Sequence, residues 1–217
     1  MEVAGDFYDW VLDDAGHLQF TVADVMGKGM GAALVTATLR AVLRAAPANL
    51  GPAARVRLAA DSMVGTDSGL FATLFHGCLD PSSGTLRYVD AGHGYCVIVR
   101  SSGELARLPE RSIPVGVLPD TEFSEGTVRL EPGDALLVYS DGLVETEERT
   151  IQPPELTAGL DESMHAAEIV RRLIARMPPS LSDDVTAVAV HRLSEGARLA
   201  GAAAGRTAPP PEHQGGL

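Results

Sequence analysis

Aspartates stand at the ends of several strand-like apolar runs in this chain. The run 20–23 is followed by Asp24, and the run 136–140 is followed by Asp141. A carboxylate at the rim of a protein core must be hydrogen-bonded or bound to a cation, and several together repel one another unless a metal neutralises them. The sequence therefore predicts an acidic cation site, whose candidate residues are Asp6, Asp24, Asp141, Asp183 and Asp184.

The predicted ligand atoms are all oxygens, which suits Mg²⁺ or Mn²⁺ in octahedral coordination. The sequence contains no cluster of cysteine and histidine that would offer the softer ligands of a zinc site. Two hard cations about 3.5 to 4 Å apart can bind a phosphoryl group, lower the pKa of a bridging water and set it for in-line attack. Phosphoester hydrolysis is therefore the chemistry that these residues predict.

A turn near the start of the chain separates two strand-like segments and predicts a β-hairpin. If its loop is centred on Asp14 and Ala15, the antiparallel register brings Asp6 opposite Ala23. Asp24 is the next residue along, so two candidate carboxylates are expected at the same end of one sheet.

A second strand pair is predicted to bring the remaining aspartates to that place. Asp141 ends one strand, whereas Asp183 and Asp184 precede the final strand, 185–190. If the two strands are antiparallel, the start of one lies beside the end of the other. The carboxylates of Asp6, Asp24, Asp141 and Asp183 could then surround one point.

Strand-like runs alternate with helical apolar spacing along the chain, which predicts a layered α+β sandwich whose helices cover buried sheets. Helices are predicted over 29–46, 53–64 and 166–177. Strands are predicted over 71–79, 86–90, 95–100 and 105–108 as a β-meander, over 127–130 and 135–140 as a pair, and over 185–190.

The composition and charge of the chain argue against some kinds of binding partner. The formal net charge is -12 and no basic stripe is visible, which argues against nucleic acid. No window approaches the ~18 consecutive apolar residues of a membrane span, and residues 1–6 lack the features of a signal peptide. Cys78 and Cys96 each lie in an apolar run and are interpreted as small core residues. A cytoplasmic protein without a membrane partner is predicted.

Other polar motifs have simpler interpretations. Asp13, Asp14 and Asp134 are interpreted as turn residues. The Gly-Lys-Gly sequence at 27–29 lacks the pattern of a phosphate-binding P-loop and is expected to free the backbone near Asp24. His93, between two glycines, is interpreted as structural.

A series of six motifs resembles the SpoIIE/RsbU-type phosphatases, a branch of the PPM family within the protein phosphatase 2C superfamily. The resemblance extends from Val3 to about Leu193. The motifs are Gly-Asp-Phe-Tyr-Asp at 5–9, Ala-Asp-Val-Met-Gly-Lys-Gly at 23–29, Asp-Ala-Gly-His at 90–93, Leu-Glu-Pro-Gly-Asp at 130–134, Tyr-Ser-Asp-Gly-Leu-Val-Glu at 139–145 and Ser-Asp-Asp-Val-Thr at 182–186.

The resemblance implies an αββα sandwich of two central, mostly antiparallel sheets flanked by helix pairs, with two Mn²⁺ or Mg²⁺ ions at one edge. Asp24 would bridge both metals and the Val25 carbonyl would bind the second. Asp141 and Asp183 would hold the first, and Asp6 would bind metal or its water. Asp24 and Asp141 would act in catalysis through the metal-bound water. Asp184 and Asp9 remain alternatives to their neighbours, since register within one sequence does not choose between adjacent carboxylates.

The resemblance also implies a substrate, which is phosphoserine or phosphothreonine on a STAS-domain anti-anti-sigma factor of a bacterial sigma-factor switch. Sensor modules such as PAS or GAF domains commonly precede the phosphatase in such proteins, so an N-terminally truncated piece is expected. The predicted domain covers 1–193, and a disordered tail rich in alanine, glycine and proline covers 194–217.

Two other functions stay open at this point. The sandwich could be a partner-binding module of the same switch without catalysis. It could also be a two-metal hydrolase of a small phosphorylated metabolite, because the site chemistry alone does not choose protein over small molecule.

Overall fold

A computed structural model describes residues 5–63, 69–145, 150–177 and 185–193. The predicted ligands Asp183 and Asp184 and the predicted tail lie outside these residues. The strands are β1 (Asp6–Leu12), β2 (Leu18–Val25), β3 (Ala72–Leu79), β4 (Thr85–Ala91), β5 (Cys96–Val99), β6 (Leu105–Ala106), β7 (Gly126–Arg129), β8 (Ala135–Tyr139) and β9 (Ala187–His191). The helices are α1 (Met30–Ala45), α2 (Pro52–Asp61), α3 (Pro153–Leu156) and α4 (Ala166–Ile174).

Two antiparallel sheets form the centre of the fold. The first sheet has the order β1-β2-β3-β4-β7 and the second has the order β6-β5-β8-β9. Alternate residues of each strand point to opposite faces, so each sheet buries one face against the other sheet. Phe20, Phe75 and Tyr88 of the first sheet pack there with Leu136 and Val138 of the second.

Helices cover the outer faces of both sheets. The helix pair α1 and α2 packs Leu39 and Val56 against Leu74 of the first sheet. Helix α4 packs Ile169 and Leu173 against the outer face of the second sheet. The order of layers is helix, sheet, sheet, helix, which confirms the predicted α+β sandwich. No helix in the described part of the chain is long and apolar enough to cross a bilayer.

The structure corrects the predicted strand pairing in two places. The predicted meander is divided, because β3 and β4 belong to the first sheet whereas β5 and β6 belong to the second. Likewise β7 and β8 do not pair; each joins a different sheet, and the turn 131–134 carries the chain between them. Both connections have turn chemistry that suits a hairpin equally well, so the local sequence does not reveal the change of sheet.

The hairpin of β1 and β2 forms as predicted, with a register that differs by one residue. Asp6 pairs directly with Asp24, and Phe7 pairs with Ala23. The turn is closed by the backbone N–H of Gly16, which donates to the Asp13 carbonyl at 2.8 Å. The strand β9 is antiparallel to β8, as expected, with Tyr139 opposite Ala187.

Candidate metal centre

Asp6 and Asp24 form the acidic core of the candidate site. They are cross-strand partners at the end of the hairpin, and directly paired residues on antiparallel strands point to the same face. That face is the one turned toward the second sheet, because Val22 lies two residues from Asp24 and packs in the core between the sheets. The two carboxyl groups therefore lie side by side at the rim of the inter-sheet core.

The Asp6 carboxyl is in an environment that disfavours its charge. Burial and then the neighbouring charge of Asp24 raise the pKa of Asp6 to about 7, while hydrogen bonding by the Ser140 and Thr186 side chains acts in the opposite direction. The Oδ2 atom of Asp6 is buried and has no hydrogen-bond partner among the described residues. A bound cation would offset the repulsion between the two carboxylates and would give the Oδ2 atom a partner.

One end of the second sheet lies beside these two carboxylates. The backbone N–H of Ser140 donates to the Thr186 carbonyl at 2.9 Å, and the Thr186 N–H donates to Ser140 Oγ at 2.9 Å. These bonds close the ladder between β8 and β9 beside Asp6. Asp141, the next residue, begins a short 3-10 helix and accepts the Gly142 N–H at 2.8 Å through Oδ1. The predicted ligand Asp141 is thus held next to a residue that interacts with Asp6.

The backbone at Val25 lies against Gly5. The Val25 N–H donates to the Gly5 carbonyl at 3.3 Å. A Cβ placed on Gly5 would lie 2.3 Å from the Val25 oxygen and 3.2 Å from Asp24 Oδ1. Any larger residue at position 5 would therefore displace the two groups that the family resemblance assigns to metal. The close approach explains the glycine before Asp6.

The described residues contain no group of three or more histidine, cysteine, aspartate or glutamate side chains that could hold a metal by themselves. Asp183 and Asp184, the predicted partners of Asp141, lie outside the described residues. Thr186 of the same motif interacts with Asp6. The assignment of the complete ligand set therefore stays a prediction.

The structure separates Asp9 from Asp6, which the sequence could not do. Asp9 is three positions from Asp6 along β1, so its side chain points to the opposite face of the sheet, toward α1. There its carboxylate forms ion pairs with Arg40 at 3.3 Å and Arg44 at 3.2 Å. Its charge is already neutralised. Asp6 is therefore the residue of this pair that fits the site.

Asp90 and Asp134 have partners within the fold, and His93 is buried. Asp90 is fully buried and accepts the backbone N–H groups of His93 and Gly94, and burial lowers the pKa of His93. Asp134 does more than form a turn, because its buried carboxylate binds Arg100. Cys78 and Cys96 are free thiols.

Four residues near the site have roles that the sequence analysis did not assign. Ser140 and Thr186 interact with Asp6. The Tyr95 hydroxyl donates to Glu145 Oε1 at 2.6 Å, and burial followed by this bond raises the pKa of Tyr95, with Asp141 contributing. Each of these residues except Tyr95 lies within four positions of a predicted ligand in the sequence, and that proximity was the available signal.

The residues present fit a hard divalent cation. Two adjacent carboxylates, one with a buried oxygen that lacks a partner in the described part of the chain, offer charge and lone pairs at one point. The close packing of Gly5 brings the Val25 carbonyl oxygen and an Asp24 oxygen to the same small space. All of these donors are oxygen atoms, in agreement with the predicted preference for Mg²⁺ or Mn²⁺.

Comparison with known proteins identifies the same family as the motifs. The family model described as Stage II sporulation protein E (SpoIIE) matches residues 14–193. Protein IcfG of Synechocystis sp. (strain ATCC 27184 / PCC 6803 / Kazusa) is 31% identical over 229 residues, which cover 88% of this chain and 36% of IcfG. Phosphoserine phosphatase RsbU of Bacillus subtilis (strain 168) is 26% identical over 203 residues, which cover 88% of this chain and 60% of RsbU.

Solved structures agree with the fold. The structure of the RsbU and RsbW domains of Rv1364c from Mycobacterium tuberculosis superposes with a TM-score of 0.75 at 27% identity, covering 88% of this chain and 56% of that one. The present chain spans less than two thirds of the length of IcfG, of RsbU and of the solved Rv1364c chain. Within that span it belongs to the SpoIIE family, as a domain of the SpoIIE/RsbU type.

Proposed function

We propose that this domain is a cytoplasmic, metal-dependent phosphatase that hydrolyses phosphoserine or phosphothreonine on a protein. The observation that carries the proposal is the half-buried Asp6 carboxyl beside Asp24, whose Oδ2 atom is buried and lacks a partner among the described residues. Such a carboxyl is costly to fold unless a cation binds it. Family membership supplies the class of reaction for which a cation at this point is useful.

The proposed ligands divide between the two sheets. Asp24 would bridge two Mn²⁺ or Mg²⁺ ions, with the Val25 carbonyl on the second and Asp6 on a metal or its water. From the second sheet, Asp141 and Asp183 would hold the first ion, with Asp184 as the alternative to Asp183. When bound, such a pair of ions supplies Lewis acidity that activates water and neutralises charge on a phosphoryl group.

The chain's own residues orient this arrangement. The reciprocal bonds between Ser140 and Thr186 fix the end of the second sheet beside the first. The hydrogen bonds of these side chains with Asp6 favour its charged form, which is the form that binds a cation. The Gly142 N–H restrains the Asp141 carboxylate. Holding the carboxylates in place before substrate arrives reduces the reorganisation needed for catalysis.

The proposed substrate is a phosphorylated STAS-domain anti-anti-sigma factor. The similarity to RsbU, which is named as a phosphoserine phosphatase, supports a phosphoprotein substrate. The additional length of IcfG and RsbU supports a further domain in a longer parent protein, for which a sensor such as PAS or GAF is proposed. Both statements are inferences from the family.

The test compares hydrolysis of p-nitrophenyl phosphate, a phosphoserine peptide and a phosphorylated STAS-domain protein in Mn²⁺, Mg²⁺ or EDTA. Wild type is expected to require a divalent cation, and Asp24→Asn and Asp141→Asn are each expected to reduce turnover at least ~100-fold, because each removes a ligand charge. Asp14→Asn, at an exposed turn, is the matched control and should retain wild-type turnover.

The alternatives give different results in the same assay. A binding module would show no metal-dependent turnover in wild type, and the three variants would behave alike. A metabolite hydrolase would turn over small phosphoesters while leaving both the phosphopeptide and the phosphoprotein intact. Either pattern would overturn the proposal.

A further inference from the structure

The edge strand β1, which carries Asp6, is held against α1 by a polar seam that we define as Thr36, Arg40 and Arg44. These residues are spaced four apart, so they lie on one face of α1. Arg40 and Arg44 pair with Asp9 in the middle of β1. At the end nearest the candidate site, Thr36 Oγ1 donates to the Gly5 carbonyl at 3.3 Å.

The position of Gly5 matters because three groups converge on it. Its carbonyl accepts both the Thr36 hydroxyl and the Val25 N–H. Its Cα lies so close to the Val25 oxygen and Asp24 Oδ1 that no side chain fits between them. It also precedes Asp6 directly. A small shift of Gly5 would therefore move the Asp6 carboxyl relative to Asp24 and Val25.

The edge location of β1 increases this dependence. β1 is hydrogen-bonded to β2 on one side and has no strand on its other side within the described residues. Its pairing begins at Asp6, so Gly5 precedes the ladder and is held by the two bonds to its carbonyl. An edge strand of this kind frays most easily at its end.

We infer that Thr36 is a positioning residue for the metal centre, acting through the Gly5 carbonyl to fix Asp6 and the Val25 oxygen. The inference rests on the proposed function, because it requires that these oxygens bind a divalent cation. Thr36 does not touch the metal ligands themselves. Its effect is on their relative placement and hence on metal affinity.

The experiment measures Mn²⁺ binding to the intact chain by electron paramagnetic resonance and by calorimetry, without substrate. Thr36→Val removes the hydroxyl while keeping the branched shape, and is expected to weaken Mn²⁺ binding about fivefold to tenfold, the size expected when one hydrogen bond is lost. Thr36→Ser keeps the hydroxyl and should restore affinity to within about twofold of wild type.

Thr38→Val is the matched control. Thr38 is exposed on the same helix, and its hydroxyl donates to the Leu34 carbonyl at 2.8 Å, within α1 itself. Its removal perturbs the same helix without affecting Gly5. Urea unfolding in EDTA checks that both variants fold cooperatively without metal, and only Thr36→Val should have lower Mn²⁺ affinity.

The outcomes separate this inference from the proposed function. If wild type binds Mn²⁺ and Thr36→Val binds it as tightly as Thr38→Val does, Thr36 has no positioning role while the metal centre stands. If wild type binds no Mn²⁺, the proposed function fails and the inference fails with it. Should Thr36→Val not fold, equal affinity of Thr36→Ala and wild type would overturn the inference.

Discussion

The buried Asp134 and the half-buried Asp6 have opposite surroundings. The Asp134 carboxylate accepts the Arg100 guanidinium at 2.7 Å, the Ser101 N–H at 2.9 Å and the Glu131 N–H at 2.8 Å. Asp6 has another carboxylate as its neighbour and an oxygen without a partner among the described residues. Each aspartate has carboxylate oxygen removed from water, and the partners distinguish a structural carboxylate from one that awaits a ligand.

The same distinction holds for Asp90, which is buried like Asp134. It is fully buried, and its Oδ1 accepts two backbone N–H groups at 2.8 and 3.1 Å. Arg111 approaches it within 3.7 Å. Asp90 therefore stabilises the turn that contains His93 and has no need of a metal.

The contrast between these aspartates predicts that a substitution of Asp134 lowers the free energy of unfolding the most. Asp134→Asn removes the charge that pairs with Arg100 and turns an amide toward N–H donors, so the free energy of unfolding should fall by about 3 kcal/mol. Urea unfolding in EDTA measures the change against Asp14→Asn, at an exposed turn. Equal midpoints for the two variants would show that the Asp134 contacts contribute little.

The next prediction concerns a buried base. His76 is 2% exposed, and Thr21 Oγ1 lies 2.8 Å from its Nδ1. Burial, followed by the positive charge of Arg55, lowers the pKa of His76 from 6.5 to about 3. Between these values the unfolded chain binds a proton that the folded protein does not, so stability falls as the pH falls below 6.5.

His76→Gln removes this proton uptake while leaving a polar group near Thr21. Between pH 7 and pH 5, wild type should lose about 2 kcal/mol more unfolding free energy than the variant does. His165→Gln, which changes an exposed histidine ahead of α4, is the control for removing one imidazole. Parallel pH profiles for wild type and His76→Gln would show that His76 is not held neutral by the fold.

The difference between Asp6 and Asp134 could be predicted only in part. The position of carboxylates at strand ends could be predicted from the sequence, because Asp24 and Asp141 follow apolar runs whose alternation indicates strands. The turn at Asp134 could be predicted as well. Its half-buried partner Arg100 could not be, since that contact joins segments 34 positions apart and depends on the pairing of β5 with β8, which places Val99 opposite Ala135.

The fold shows the same limit. The layers and the main helices follow from periodicity, and the hairpin register was within one residue. The assignment of β4 and β5, or of β7 and β8, to different sheets depends on the packing of Phe75 and Tyr88 against Leu136 and Val138. Local turn residues carry no information on such contacts, which is why a simple meander was predicted.

The smallest expected effect gives the sharpest test, because it should change sign with metal. In EDTA at pH 8, Asp6→Asn removes a charge that burial and then repulsion from Asp24 disfavour, the two causes that raise the pKa of Asp6 to about 7. The variant should therefore be more stable than wild type by about 1 kcal/mol after solvent screening is allowed for. In saturating Mn²⁺ the order should reverse, since wild type gains stability by binding the ion and the variant gains less. Thermal unfolding with and without Mn²⁺ measures both conditions, and Asp14→Asn should follow wild type in each. A variant less stable than wild type in EDTA would mean that Asp6, like Asp134, is satisfied within the fold, and the contrast between the two aspartates would fail.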